Sequence, residues 1–176
     1  IFMVNPKVSD IPDKFAVQGP DGVRLLVMGS VKPAGTGCFC PENALVRTLV
    51  SHIILDRGEV VIMDMEAGVE HLTRGTAKAV NLMLIVVEPG RRSLELAETI
   101  RRLSSNLGIA NIFLVANKVR SEKEEEFIFK EAKAINTELL GVVHYDETAS
   151  LADREGKAIL DLAPSSAIVD EIRKVK

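Results

Sequence analysis

The sequence predicts an α/β protein with three layers, in which helices cover both faces of a mostly parallel β-sheet. The second half of the chain alternates short apolar runs with amphipathic stretches, and this pattern is typical of successive β-α-β units. The apolar runs are unbroken, as expected for parallel strands that are covered on both faces. No internal repeat or linker divides the 176 residues, so we expect a single domain over residues 1–176.

Four apolar runs are predicted strands, and two charged stretches between them are predicted helices. The strands are Val60–Asp64, Leu82–Glu88, Ile112–Asn117 and Leu139–Val143. The first helix, Ser93–Leu107, has apolar residues spaced by three and four, and Gly108 ends it. The second helix, Glu122–Ile135, is highly charged, and its acidic run indicates a solvated face.

Charge and hydropathy exclude two classes of partner. The 22 basic and 25 acidic residues are well mixed and leave a net charge of −3, so no broad basic surface is available to bind nucleic acid. No apolar run approaches the roughly 20 residues that cross a bilayer. The first residues, Ile1–Pro6, include no basic leader and resemble the middle of a strand. We expect a cytoplasmic protein whose N-terminal part has been cut.

An acidic residue ends the first predicted strand. Asp64 stands at its end, and Gly68 follows four residues later. Ligands of open α/β sheets bind at the carboxyl ends of the strands. An acid there can hold the water shell of Mg²⁺, and a glycine N–H can approach a phosphate. The pattern therefore indicates catalytic roles for Asp64 and Gly68, with an ordinary strand end that caps the next helix as the alternative.

Polar residues follow the third and fourth predicted strands, where they could contact a nucleotide base. The candidates are Asn117, Lys118, His144, Tyr145 and Asp146. Recognition of guanine in GTPases needs an acid two residues after the lysine, and Arg120 stands there, so adenine is favoured. A polar turn after each strand is the alternative. No histidine has an identifiable nucleophile partner, so we expect no hydrolytic triad.

Two cysteines form a C-x-C motif, Cys38 and Cys40, just before Pro41. Proline suits the first helical position, where the helix dipole favours a neighbouring thiolate. In an extended segment, residues two apart share a face, so the two thiolates would supply half of a tetrahedral site for Ni²⁺ or Zn²⁺. Four sulfur ligands then require two chains related by a two-fold axis. The motif predicts a metal-linked homodimer, and a pair of reduced, buried cysteines is the alternative.

Four segments together resemble the CooC ATPases, which belong to the MinD/ParA-like deviant-Walker class. These segments are residues 5–7, 37–43, 63–77 and 117–120. The resemblance implies a MinD-like P-loop NTPase fold that binds ATP or ADP with Mg²⁺. It also implies a dimeric metallochaperone that inserts nickel into carbon monoxide dehydrogenase or acetyl-CoA synthase. By position it assigns metal binding to Cys38 and Cys40, Walker-B and switch II roles to Asp64 and Gly68, and base binding to Asn117 with Lys118.

The sequence departs from this family in two ways. His144 stands where relatives often have proline. The family's first strand and its phosphate-binding loop, G-K-G-G-x-G-K-T, have no counterpart in the sequence. We therefore expect the chain alone to be inactive as an ATPase, with unpaired strands and exposed apolar surface. Two other functions stay open: a positional ATPase switch like MinD and ParA, and a non-enzymatic metal-binding module.

Overall fold

The computed structural model describes residues 11–27, 49, 60–65, 69, 72 and 80–175. The chain folds as two compact units, residues 1–80 and 81–176. The single domain expected over residues 1–176 stays a prediction. In the described ranges, no helix combines the length and the apolar character needed to cross a membrane.

The first unit contains a short helix and a small antiparallel hairpin. Helix α1 is Ile11–Phe15, and strands β1 (Val17–Gln18) and β2 (Arg24–Leu25) pair in antiparallel fashion. The turn between them, Pro20–Gly22, is a single 3-10 turn in which the chain adopts positive φ angles. Leu49 and Leu72 are also described, and both are helical and buried.

The strand predicted at Val60–Asp64 is wrong for the described structure, because residues 60–65 have no regular secondary structure. Val60 and Ile62 are each 88% exposed. A strand is stabilised by hydrogen bonds to a neighbouring strand, and none of the described strands pairs with this segment. The segment has the apolar composition of a buried strand, but no described strand supplies the hydrogen bonds that would make it part of a sheet.

The second unit has the predicted parallel sheet. Its elements in chain order are β3 (Leu82–Val87), α2 (Arg91–Asn106), β4 (Asn111–Val119), α3 (Glu122–Ala134), β5 (Glu138–His144), α4 (Glu147–Arg154), α5 (Ile159–Leu162) and α6 (Ala167–Lys174). The strands lie in the order β3-β4-β5, and both pairs are parallel. The three predicted strands and two predicted helices of this half are confirmed, with ends shifted by one or two residues.

The core of this unit is built on the central strand. Leu114, Ala116 and Val119 of β4 are fully buried, and apolar residues of α2 and α3 pack over the sheet. Strand β3 differs, since Met83, Ile85 and Val87 are buried whereas Leu82, Leu84 and Val86 are exposed. The prediction that both faces of the strand are covered is therefore wrong for β3. Among the described strands, β3 lies at an edge of the sheet and has one neighbour.

Candidate functional site

The carboxyl ends of β3, β4 and β5 lie side by side, because parallel strands end at the same edge of a sheet. Glu88 follows β3, Arg120 follows β4 and Tyr145 follows β5. We call this region, residues 88, 117–120 and 144–146, the carboxyl edge. Ligands of open α/β sheets bind at such an edge. The structure thus brings together the predicted base-binding residues of two strands.

A β-bulge occurs at the end of β4. Ala116 pairs with Val142 and Val119 pairs with His144, so three steps along β4 match two steps along β5. The extra residue falls at Asn117–Lys118. Lys118 has a φ of 58°, the left-handed conformation that residues with a Cβ seldom adopt. Such backbone outliers are frequent at binding sites, where the surrounding structure holds them in place.

The side chain of Lys118 reaches across to the neighbouring strand. Its Nζ lies 2.6 Å from Oε1 of Glu88. The hydrogen bond and the charge of Glu88 raise the pKa of Lys118 above its ordinary value. Lys118 is therefore a fixed cation at the carboxyl edge, held between the ends of β3 and β4.

The side chain of Asn117 is oriented by the residue that follows it. Its Oδ1 accepts a hydrogen bond of 3.0 Å from the backbone N–H of Lys118. Within the described part of the chain, no group accepts a hydrogen bond from its Nδ2. The amide therefore presents two N–H donors, which match an acceptor such as a ring nitrogen of a purine base.

Arg120 connects the ends of β4 and β5. Its guanidinium carbon lies 3.9 Å from the centroid of the Tyr145 ring, which is a cation–π contact. Its backbone N–H donates to Oε2 of Glu124 at 2.7 Å. The Tyr145 N–H in turn donates to the carbonyl of Val119 at 2.9 Å. These contacts fix the two loops that leave the sheet at this edge.

His144 is bound by the last helix. Its backbone N–H and its Nδ1 lie 2.8 Å and 2.9 Å from the two carboxylate oxygens of Glu171 on α6. Its Nε2 lies 4.0 Å from Oε2 of Glu125. The imidazole therefore sits between two carboxylates, and its predicted place in a base pocket stays a prediction.

Asp146 begins helix α4. Its Oδ1 accepts hydrogen bonds from the backbone N–H groups of Thr148 and Ala149, at 2.7 Å and 3.1 Å, which is the geometry of an N-cap. An open depression of ≈ 390 Å³ lies beside this helix start, a volume in the range of small-molecule sites. Its lining residues are Tyr145, Glu147, Thr148, Ser150, Leu151 and Arg154.

The other predicted site residues are described in part or not at all. Asp64 belongs to the first unit and is exposed. Gly68, Cys38 and Cys40 lie outside the described residues. Among the residues that the structure does describe, no three His, Cys, Asp or Glu side chains are grouped so that they could hold a metal ion.

Sequence reasoning missed one residue of the carboxyl edge, Glu88. It was assigned to the end of a strand and given no role, although its carboxylate binds Lys118. The signal that singled out Asp64, an acid at the end of an apolar run, also applies to Glu88. Glu171 had no such signal, because it lies 27 residues from His144 in the chain.

Comparison with known proteins shows which sequences the chain is similar to. The chain matches no protein-family model. It is 48% identical over 164 residues to the carbon monoxide dehydrogenase accessory protein CooC of Rhodospirillum rubrum, covering 93% of this chain and 61% of that protein. It is 45% identical over 178 residues to the uncharacterized ATP-binding protein MJ0823 of Methanocaldococcus jannaschii, covering 99% of this chain and 66% of that protein. The chain thus spans just under two thirds of the length of these relatives.

Solved structures show the fold. The MinD cell division protein of Aquifex aeolicus superposes with a TM-score of 0.73 at 16% identity, covering 97% of this chain and 72% of that one. A ParA family ATPase of Chlorobium tepidum TLS gives a TM-score of 0.69 at 19% identity, covering 94% and 70%. The predicted fold class is confirmed. The chain is therefore a CooC homologue with the P-loop fold of the MinD and ParA ATPases.

Proposed function

We propose that this chain is part of an ATP-binding accessory protein that inserts nickel into carbon monoxide dehydrogenase or acetyl-CoA synthase. The observation that carries the proposal is the 48% identity to a carbon monoxide dehydrogenase accessory protein over 93% of the chain. The identity extends over both halves of the chain, so it involves more than the shared fold.

The carboxyl edge suits an adenine nucleotide. Asn117 offers two amide donors for a ring nitrogen of the base, and its orientation is fixed by Lys118. Arg120 stands where a guanine site needs an acceptor, and its guanidinium lies over Tyr145. We propose that Asn117, Lys118 and Tyr145 hold the base, with His144 and Asp146 beside them.

Asp64 and Gly68 are proposed to act on Mg²⁺ and on a phosphate, because they match the Walker-B and switch II positions of the family that the chain resembles. In this proposal the exposed carboxylate of Asp64 orders the water shell of Mg²⁺, and the Gly68 N–H approaches a phosphate. ATP bound with Mg²⁺ supplies a phosphoanhydride bond. The hydrolysis of this bond drives changes in dimerisation and in metal binding. The residues of this chain bind and orient the nucleotide.

Nickel is the cargo rather than a resident cofactor. We propose that Cys38 and Cys40 bind it as thiolates, together with the same pair of a second copy. Zn²⁺ suits the same ligands. Free thiolates persist in a reducing compartment, and we place the protein in the cytoplasm for that reason.

The test is activation of a client enzyme. Nickel-deficient carbon monoxide dehydrogenase would be incubated with Ni²⁺, ATP and the full-length protein, and CO oxidation would be measured. We expect activation that requires ATP and is lost in the Cys38→Ala, Cys40→Ala double variant. Equal activation without the protein, or with the double variant, would show that the assigned function is wrong.

A further inference from the structure

The ion pair between Glu88 and Lys118 joins the ends of two strands at the candidate base site. We infer that Glu88 is a positioning residue, whose carboxylate holds Lys118 and so keeps the Asn117–Lys118 bulge in its nucleotide-binding conformation. The inference rests on the proposed function, because it assigns a role within the same site.

The position of Glu88 is itself fixed. The regular pairing of β3 with β4 runs without a shift up to Val87 and Ala116, and Glu88 is the next residue on β3. Its backbone N–H donates to Oγ of Ser93 at 3.1 Å, which closes the loop that leads into α2. The carboxylate of Glu88 therefore projects from a well-defined backbone beside the bulge.

The contact from Glu88 to Lys118 is short and charge-assisted. At 2.6 Å it is a short ion pair, and such bonds are stronger than neutral ones. Both side chains are more than half exposed, at 57% and 56%, and exposed pairs add little to the stability of a fold. Its main effect is therefore expected in the local geometry of Lys118.

That geometry needs support. With a φ of 58°, Lys118 is in a conformation that is strained for any residue with a Cβ. Its ammonium binds Glu88, and β4 pairs with β5 on both sides of it, at Ala116 and Val119. Because both sides are anchored, a relaxation of Lys118 to a negative φ would be compensated by neighbouring torsions, including ψ of Asn117. That torsion sets the direction of the Lys118 N–H, so the bond to Oδ1 of Asn117 would be disturbed. Glu88 thus acts on the base through Lys118 and then Asn117.

The experiment is a double-mutant cycle in the full-length protein. The variants are Glu88→Gln, Lys118→Met and their combination, and calorimetric titration gives the Kd for ADP and for ATP. We expect Glu88→Gln to weaken the binding of ADP and of ATP by the same factor, roughly three- to tenfold, because the ion pair lies beside the base-binding segment. In the Lys118→Met background Glu88→Gln should have no further effect.

A salt titration supplies a readout that a purely structural role would not move. An exposed ion pair is screened by salt, so the ratio of the affinity of the unmodified protein to that of Glu88→Gln should fall towards one as salt is added. The matched control is Asp170→Asn, which breaks the 3.0 Å pair with Arg173 at nearly the same exposure, 57% and 61%. This control should leave both nucleotide affinities unchanged.

The outcomes separate this inference from the proposed function. If the unmodified protein binds neither nucleotide, the proposed function fails. If it binds both and Glu88→Gln binds equally well, Glu88 does not position the site. Tighter binding by Glu88→Gln would mean that Glu88 withholds Lys118 from the nucleotide. An undiminished effect of Glu88→Gln in the Lys118→Met background would mean that it acts by another route. Each of these three results overturns the inference.

Discussion

The guanidinium carbon of Arg120 lies 3.9 Å from the centre of the Tyr145 ring, so a cation–π contact joins the first residues after β4 and β5. The two residues are far apart in sequence and adjacent in space because their strands pair in parallel. Each also has a backbone partner, Glu124 for Arg120 and Val119 for Tyr145.

Replacing the ring should weaken this contact. Tyr145→Leu is expected to lower the free energy of unfolding by about 0.5–1 kcal/mol through loss of the cation–π contact, whereas Tyr145→Phe keeps the ring and should change it little. Urea unfolding measures both. The same loss from Tyr145→Leu in an Arg120→Met background would contradict the assignment of the effect to Arg120.

Base preference should depend on residue 120. We expect the full-length protein to bind ADP more tightly than GDP, because Arg120 offers no acceptor to the N1 and N2 donors of guanine. Arg120→Asp introduces an acceptor and should therefore reduce the ratio of the affinity for ADP to the affinity for GDP. Competition titrations with ADP and GDP measure it, and Arg120→Ala, which removes the guanidinium and adds no acceptor, is the control. An unmodified protein that prefers GDP would refute the assignment.

Asp146 should stabilise the start of α4. Asp146→Ala removes an N-cap that accepts two backbone hydrogen bonds and is expected to cost about 1 kcal/mol of unfolding free energy. Asp146→Asn retains a capping oxygen and should stay near the original stability. A loss of nucleotide affinity in Asp146→Asn would then report the predicted base contact, separately from the cap.

The pKa of Lys118 should depend on Glu88. The hydrogen bond and charge of Glu88 raise the pKa of Lys118, so the stabilisation from this pair is present at neutral pH. It is lost as the pH rises through that raised pKa, because the ammonium then loses its proton. NMR titration should show a lower pKa for Lys118 in Glu88→Gln. An identical titration in the two proteins would exclude the pair in solution.

Metal stoichiometry tests the proposed C-x-C site. One metal ion should bind per two chains, since four thiolates from two copies complete a tetrahedral site. Light scattering should show dimers forming as Ni²⁺ or Zn²⁺ is added, more strongly as the pH rises and the thiols ionise, with reversal by a chelator. The Cys38→Ala, Cys40→Ala variant should stay monomeric and folded. A monomer that takes one metal ion would contradict the shared site.

Periodicity was enough to predict the three strands of the second unit and the two helices between them. Unbroken apolar runs located β3, β4 and β5, and Gly108, with a φ of 87°, ends α2 as expected for a glycine after a helix. The same signal failed at Val60–Asp64. An apolar run shows that a segment can form a strand, but the strand forms only when a neighbour supplies hydrogen bonds.

The candidate site was predictable only in part. Asn117 and Lys118 were found because polar residues at the end of a strand must lie at the carboxyl edge. The bulge between them was not predictable, since the register of a strand depends on the residues of its partner. The pairing of Lys118 with Glu88 depends in turn on which strands are neighbours, and local sequence does not encode that.

The extra residue at Asn117–Lys118 has a consequence for how this segment can change. From the Leu114–Leu139 pair to the Val119–His144 pair both strands advance by five residues, because β5 has one extra residue at Leu140 and β4 has one at Asn117–Lys118. The two irregularities therefore cancel. Deleting one residue at Asn117–Lys118 would leave the offset at Leu140 uncompensated and would shift the pairing of Val119 with His144. A change of length in this segment is therefore expected to require a matching change in β5.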